Sequence, residues 1–217
     1  MSLVLPVNGR FRDMSASTPH RDGDATRDRL LRAALDLYTT AGFLRTTTPA
    51  LAKRAGVAEG TIYRHFKSKE HLLNEAHRHA HRWALDALAA LENDRVRRAP
   101  ERLAVLARQI AEQAARDPGL IRMLLANGNE PFLDDPSRTI RREWSGGLVQ
   151  MVAMGKSDGQ VRSGPAELWA QVWLAIVSFA VERVAAGEWT PESAPTTMAL
   201  EAAWDAIAQR PGSSAER

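Results

Sequence analysis

The chain has 217 residues, 44% of them hydrophobic and 25% charged, which is ordinary for a soluble globular protein with a substantial core. It contains no cysteine, which excludes disulfides, cysteine-zinc sites and thiol catalysis and suits a reducing, cytoplasmic location. The net charge of +3 is uneven: residues 21–82 hold 12 Lys/Arg and 7 Asp/Glu (+5), and residues 83–217 hold 15 and 18 (−3). This asymmetry indicates either contact with a polyanion in the first third or a solvated basic face.

The first segment, residues 1–22, mixes Pro, Ser, Thr, Gly and Arg without apolar periodicity, so we expect a flexible tail in which Met14 is a second candidate start. The opening letters MSLVLPVNGRFRD lack the basic region of a signal peptide. The longest apolar run, Val172–Ala180, is interrupted only by Ser178 and is shorter than the ~20 residues that span a bilayer. We therefore expect no membrane partner.

Two helices are predicted next. Apolar residues recur at three- and four-residue steps after Asp24 and Thr26, either of which can cap the first helix, and Gly42 supplies its left-handed end. The second helix is shorter. Thr47 is a good N-cap for it and Gly56 ends it.

The third helix is predicted from Glu59 to about Phe66, with Ile62 and Phe66 four residues apart as its buried pair. Ser68 is then placed to cap a fourth helix, and Glu70 lies near the positive end of that helix.

The remaining pattern is also helical. Proline near the starts and glycine near the breaks predict helices near 69–93, 98–116, 118–127, 135–155, 165–187 and 191–209. No stretch alternates apolar and polar residues with β-branched enrichment, so the predicted fold class is all-α.

The short third helix has a composition suited to DNA. Two short helices joined by a tight glycine turn match the helix-turn-helix layout, whose second helix enters the major groove. With Ile62 facing inward, Gly60 permits close approach and Thr61 offers a hydroxyl and a methyl group to base edges. Tyr63 and His65 can bond phosphates, and Arg64 can reach a phosphate or a guanine.

An ordered set of short matches then extends over about 45 residues. Its pieces are Ala33-Ala34, Leu37, Ala41-Gly42-Phe43, Thr46-Thr47, Leu51-Ala52, Ala55-Gly56-Val57, Gly60-Thr61-Ile62-Tyr63, His65-Phe66, Ser68-Lys69-Glu70 and Leu72. Together they resemble the DNA-binding domain of the TetR family of bacterial transcriptional regulators. The resemblance implies DNA contacts at Thr47, Ala58, Gly60, Thr61, Tyr63, His65 and Lys69. Arg45, just before the second helix, is a further candidate.

Glu59 departs from the family pattern, which often has lysine or another polar residue at this position. A carboxylate facing DNA must accept a hydrogen bond from a cytosine amino group or turn away from phosphate. We therefore expect Glu59 to influence operator preference.

The resemblance further implies a helical effector-binding and dimerisation domain at residues 71–210, after a DNA-binding domain at 23–70 and before a C-terminal tail at 211–217. Bulky, adaptable side chains suit an apolar or aromatic effector, and the same side chains are also common as ordinary core residues. The candidates are Trp83, Met123, Trp144, Met151, Met154, Trp169 and Trp173. Apolar residues on the last two helices suit either a dimer interface or the centre of a monomeric bundle. These residues are Val172, Ile176, Phe179, Leu200, Ala203, Trp204 and Ile207.

Three other patterns do not support a site. Gly155-Lys156-Ser157 looks like the end of a phosphate-binding loop, but Gln150 stands where its first glycine is required. His77 and His81 share a helix face without a third ligand, so no metal site is expected. No catalytic pattern and no cofactor motif is found, so we expect neither an enzyme nor a cofactor.

The sequence thus predicts a homodimeric repressor that binds a palindromic double-stranded DNA operator and is released by a small effector. A small helical-bundle enzyme or apolar-ligand carrier with a vestigial N-terminal unit is the alternative. An architectural nucleic-acid binder is disfavoured by the small net charge.

Overall fold

The computed structural model describes residues 19–92, 98–126 and 128–210. Their regular structure is helical, as predicted, with a 3₁₀ turn at Glu130–Phe132. The helices are α1 Pro19–Thr40, α2 Thr48–Ala55, α3 Glu59–His65, α4 Lys69–Glu92, α5 Ala99–Arg116, α6 Pro118–Leu125, α7 Asp135–Ser157, α8 Ala166–Ala185 and α9 Ala194–Asp205.

The start of α1 differs from the prediction. The helix begins at Pro19 instead of at a cap near Asp24 or Thr26, so residues 19–22 are helical and not part of the predicted tail. The rest of that tail, residues 1–18, and the C-terminal tail, residues 211–217, lie outside the described residues.

The last helix is shorter than predicted at both ends. Before α9, the amide of Ser193 donates to the carbonyl of Thr190 at 3.1 Å, and the hydroxyl of Thr196 donates to the same carbonyl at 2.8 Å. This turn delays the helix to Ala194. After α9, Ala208 forms an isolated antiparallel bridge with Val161, which takes the backbone out of helical geometry.

The N-terminal helices pack on the rest of the chain through α1 and α4. α1 contacts α2, α4 and α6, and α4 runs on to contact α5, α6 and α7. At one glycine, α6 approaches the backbone of α1 closely: a Cβ on Gly119 would lie 3.0 Å from the carbonyl carbon of Leu35. The three-helix unit is therefore joined to the larger bundle by direct contacts of α1 as well as through α4.

The most apolar helix, α8, forms the centre of the larger bundle. Its length and composition alone would let it cross a bilayer. In the fold, however, Trp173, Val177 and Val181 on α8 are at most 1% exposed, and the helix packs against α5, α7 and α9. Part of its apolar surface is therefore used in the protein core, whereas Leu168 and Phe179 on the same helix remain exposed.

Candidate nucleic-acid interface

The turn between α2 and α3 sets the position of the third helix. Thr47 caps α2 as predicted, its side-chain oxygen accepting a hydrogen bond from the amide of Ala50 at 3.3 Å. Gly56 ends α2 at φ +66°, and its N–H donates to the carbonyl of Lys53 at 3.2 Å. Because glycine takes this left-handed conformation without steric cost, α2 ends abruptly and α3 begins three residues later.

A buried pair anchors α3 to the three-helix unit, as the sequence predicted. Ile62 is 2% exposed and Phe66 is 1% exposed. The guanidinium carbon of Arg27, on α1, lies 5.3 Å from the centre of the Phe66 ring, and the His71 ring meets Phe66 edge-on at 5.8 Å. These contacts hold one side of α3 against α1 and α4, which leaves the other side facing outward.

The outward side of α3 consists of residues predicted to contact DNA. Tyr63 is 57% exposed although it is a large aromatic residue. Thr61 and His65 are half-buried, and the remaining outward positions, Ala58, Glu59, Gly60 and Arg64, are exposed. Hydroxyl, phenol, imidazole and guanidinium groups on one short helix can donate to phosphates and to base edges.

The folded protomer does not require a glycine at position 60. A Cβ built on Gly60 meets nothing within 4 Å, and its backbone does not have positive φ. Glycine inside a helix costs about 1 kcal/mol relative to alanine. Because Gly60 has no side chain, a binding partner can approach the backbone of α3 more closely on its solvent-exposed side.

Lys69 has an internal role that the sequence did not indicate. Its ammonium group donates to the carbonyls of Phe43 and Thr46, each at 2.9 Å, and lies 4.4 Å from the centre of the Phe43 ring. These contacts tie the start of α4 to the loop before α2. A lysine has three N–H donors, so the predicted phosphate contact would use the remaining one.

Arg45 lies in the same loop, and its side chain is exposed. Its Nε donates to the carbonyl of Ala41 at 2.8 Å, which fixes the stem of the side chain. The other guanidinium N–H groups are additional donors suited to the DNA backbone. The structure therefore places Arg45 at the solvent-facing edge of the three-helix unit.

An ion-pair network joins α1, α4 and the start of α7. Arg78 donates to both oxygens of Asp134 at 2.8 and 2.9 Å, to the hydroxyl of Ser137 at 2.9 Å and to Glu75 at 2.7 Å. Arg27 of α1 donates to Glu75 at 2.7 Å. Burial raises the pKa of Glu75, but the hydrogen bonds from Arg78 and Arg27 outweigh burial and hold it below its ordinary value.

The side chains predicted for an effector pocket lie at different depths. Four of them, Met123, Trp144, Met151 and Trp173, are at most 3% exposed, whereas Trp83 and Trp169 are half-buried. The indole N–H of Trp169 donates to the carbonyl of Ser163 at 3.0 Å. Met154 is 42% exposed, so it is the most exposed of the seven.

The residues predicted for a dimer interface also divide. Ala203 and Ile207 are 0% exposed inside the protomer, so neither can contact a partner directly, and this part of the prediction is corrected. Phe179 is 52% exposed. Half-buried positions that still present some surface are Val172, Ile176, Leu200 and Trp204.

Sequence reasoning missed a cleft between α5 and α9. The α5–α9 cleft, about 710 Å³ in volume, is lined by Pro100, Glu101, Ala104, Arg108, Glu112, Pro191, Glu192, Thr197, Leu200, Glu201, Trp204 and Asp205. None of the seven predicted pocket residues lines it. Two of its residues, Leu200 and Trp204, were predicted instead for the dimer interface.

The N-terminal helices are similar to a known protein family. The family model described as bacterial regulatory proteins, tetR family, matches residues 30–76. The transcriptional repressor KstR2 of Mycolicibacterium smegmatis is 37% identical over 62 residues, covering 29% of this chain and 30% of KstR2. The repressor KstR of Rhodococcus jostii is 48% identical over 50 residues, covering 23% and 24%. The matched segment therefore spans less than a third of these curated relatives.

Solved structures extend the likeness to the whole bundle. A TetR family transcription regulator from Marinobacter aquaeolei has a TM-score of 0.73 and 23% identity, covering 89% of this chain and all of that one. A TetR family protein from Vibrio parahaemolyticus, described as a transcriptional regulator, has a TM-score of 0.61 and 27% identity, covering 85% and 100%. This chain is thus similar in fold to these regulators beyond its N-terminal helices.

Proposed function

We propose that the chain is a sequence-specific DNA-binding regulator of the TetR family of bacterial transcriptional regulators, whose family model matches residues 30–76. The observation that carries the proposal is α3 itself. Ile62 and Phe66 anchor one side, and the exposed Tyr63, Arg64 and Gly60 occupy the other. Repression is supported by KstR and KstR2, which match this segment and are described as transcriptional repressors.

The proposed protein is a homodimer, because one short helix reads only a few base pairs and two related by a twofold axis read a palindrome. Exposed apolar side chains on the last two helices support this assembly. Leu168 and Phe179 on α8 are 47% and 52% exposed, and Met198 on α9 is 67% exposed. A second copy that packs on these helices would cover them.

The proposed domain division places DNA reading in residues 23–70 and effector binding with dimerisation in residues 71–210. α4 runs without a break from Lys69 to Glu92 and so connects both parts. The bulky side chains of Trp83, Trp144 and Trp173 support a small apolar or aromatic effector. An effector that favours a dimer whose two α3 helices are wrongly spaced for the operator would release the DNA. We propose that the protein acts in the cytoplasm.

The test is a selection from random duplex DNA with the full chain, repeated at rising salt. The proposal expects enrichment of a palindrome bound by two protomers. Discrimination against scrambled duplexes should persist as salt weakens overall affinity, since base contacts are less dependent on salt than phosphate contacts. Failure to enrich any palindrome, or equal binding to all duplexes, would contradict the proposal.

A further inference from the structure

The α5–α9 cleft has the size and the wall chemistry of a small-molecule site. Its volume of about 710 Å³ lies in the range of roughly 300–1,000 Å³ typical of ligand pockets. Leu200 and Trp204, both half-buried, supply an apolar wall on α9, and Ala104 supplies a small side chain on α5. An aromatic or aliphatic body of modest size can rest against such a wall.

The charges that line the cleft are strongly one-sided. Five acidic residues and one basic residue give the lining a formal charge of −4, and these six are Glu101, Glu112, Glu192, Glu201, Asp205 and Arg108. Glu112 has a distant ion-pair partner, Arg116, at 4.0 Å. Within the described ranges, the carboxylates of the other four acidic residues form no ion pair. The cleft therefore attracts cations.

Two of these carboxylates lie where the helix itself disfavours them. Glu201 and Asp205 are four residues apart on α9, a spacing at which like charges repel. Asp205 is also the last residue of α9, where the negative end of the helix dipole opposes a further negative charge. The segment APTTMALEAAWD contains no basic residue, and the guanidinium of Arg162, from outside α9, donates to the backbone carbonyl of Asp205 at 3.3 Å and offsets part of the helix dipole but not the two side-chain charges. A bound cation at the end of α9 would relieve the repulsion between the two carboxylates.

We propose that the α5–α9 cleft binds an organic cation that carries an apolar or aromatic body. Its ammonium or guanidinium group lies between the carboxylates of Glu201 and Asp205. Its body packs against Leu200 and Trp204, where the indole adds a cation–π attraction to the burial of apolar surface. The inference goes beyond the proposed function, because it does not depend on DNA binding and concerns none of the seven residues predicted for the effector pocket.

Titration calorimetry on the full chain at low salt tests the charge and the body of the ligand separately. The probe is phenylpropyltrimethylammonium. One comparison compound, phenylpropanesulfonate, keeps the aromatic body with the opposite charge, and the other, tetramethylammonium, keeps the charge without the body. We expect saturable binding of one probe per protomer, at least roughly ten-fold tighter than either comparison compound, since charge and apolar contact each contribute. Equal affinity for the sulfonate, or no saturable heat at millimolar probe, overturns the proposal.

Neutralising the end of α9 tests the location. Glu201→Gln combined with Asp205→Asn should weaken probe binding by about two- to five-fold for each carboxylate removed, the range expected for solvent-accessible charge pairs. Glu143→Gln is the matched control, because Glu143 is an exposed carboxylate on α7 that does not line the cleft. Circular dichroism melting checks that both variants are folded. An unchanged dissociation constant in the double variant, or an equal loss in the control, overturns the proposal.

Discussion

Thr61 and Tyr63 on α3 differ in the groups that a conservative substitution removes. Thr61 is half-buried and offers its hydroxyl and methyl groups, whereas Tyr63 is 57% exposed and ends in a phenolic hydroxyl. Tyr63→Phe should weaken binding to every duplex by a similar factor, since a lost hydrogen bond is worth about 1 kcal/mol, or several-fold. Thr61→Ala should instead change which base pair is tolerated. Binding titrations against single-base variants of the selected operator measure both effects.

Thr197→Ala is the control for the threonine change, because Thr197 is exposed on α9, far along the chain from α3. It should leave affinity and base preference as they are. If Thr61→Ala and Tyr63→Phe both fold and both bind the operator panel like the unmodified protein, α3 is not the reading helix.

Lys69 allows a second prediction, about stability without DNA. Lys69→Met keeps an apolar stem but removes hydrogen bonds to the carbonyls of Phe43 and Thr46. Hydrogen bonds to a charged group contribute about 1.5–3 kcal/mol each when buried, and this half-buried site should lie at or below the lower end. Urea unfolding of the free protein should therefore show a loss of about 1–2 kcal/mol.

Lys67→Met is the matched control, because the side chain of Lys67 is exposed. The backbone amide of Lys67 donates to Nδ1 of His71 at 3.0 Å, and the substitution keeps this hydrogen bond. It should unfold like the unmodified protein. A Lys69→Met protein of full stability that fails only in DNA binding would show that the phosphate contact, and not the internal one, is the main role of this lysine.

The sequence predicted the anchor residues of α3 because their burial follows from a four-residue spacing within one helix. It could not predict the bonds of Lys69, since the two carbonyls are 26 and 23 residues away in the chain. The burial of Ala203 and Ile207 was missed for a similar reason. Periodicity identifies an apolar face, but whether that face meets its own domain or a partner depends on how the helices pack.

At the scale of helices, the contact between α1 and α6 depends on one missing side chain. A Cβ on Gly119 would lie 3.0 Å from the carbonyl carbon of Leu35 and 3.2 Å from the amide nitrogen of Asp36, and backbone atoms cannot move aside as a flexible side chain can. Alanine favours a helix over glycine by about 1 kcal/mol. Overpacking of about 1–3 kcal/mol should exceed that gain. Gly119→Ala should therefore lower the free energy of unfolding.

Gly146→Ala provides the comparison, because Gly146 lies inside α7 and a Cβ there meets nothing within 4 Å. It should stabilise the protein by about 0.5–1 kcal/mol through helix propensity alone. Comparing the thermal unfolding midpoints of the two variants cancels the effect of helix propensity, because both replace a helical glycine with alanine. Equal midpoints would mean that α6 can shift away from α1 without cost, and that the two helices are not tightly joined at this point.

Helices were the most predictable elements, because proline, glycine and capping residues mark their ends within the local sequence. Thr47 and Gly56 cap α2 as predicted, and Ser68 accepts from the amide of His71 to cap α4. The early start of α1 at Pro19 was not predictable from caps alone. The α5–α9 cleft was not predictable either, since its two walls are almost a hundred residues apart in the chain and meet only in the fold.

At the scale of the whole molecule, the buried imidazole pair that α4 carries makes stability depend on pH. The rings of His77 and His81 stack with centres 4.0 Å apart, and each residue is 1% exposed. His81 Nδ1 bonds the carbonyl of His77 at 2.9 Å. Burial lowers the pKa of His77 to about 3, helped by His81, Arg141 and Arg78 and opposed by Asp134, and burial lowers the pKa of His81 to about 4. Both rings are therefore neutral in the folded protein at neutral pH.

Neutral buried histidines make stability depend on pH in a defined window. The unfolded chain binds protons near the ordinary histidine value of 6.5, whereas the folded chain takes them up only near pH 4 and below. Stability is therefore complete above pH 6.5 and falls as pH decreases toward 3, by up to about 1.4 kcal/mol per pH unit for each histidine. Glu75 adds to this loss, because its folded-state pKa is held below its ordinary value of 4.5, but its contribution falls away around and below that value, whereas the histidine contribution already begins near pH 6.5.

Urea unfolding at pH 7, 6 and 5 measures this slope. Replacing both His77 and His81 with Leu should flatten it, because neither state then exchanges a proton there, and the apolar pair should also raise stability at pH 5 relative to the unmodified protein. His79→Leu serves as the control, since His79 is exposed on the same helix. A slope that survives the double replacement, or disappears in the His79 variant, would place the proton uptake on other groups and show that the stacked pair is not what makes α4 sensitive to acid.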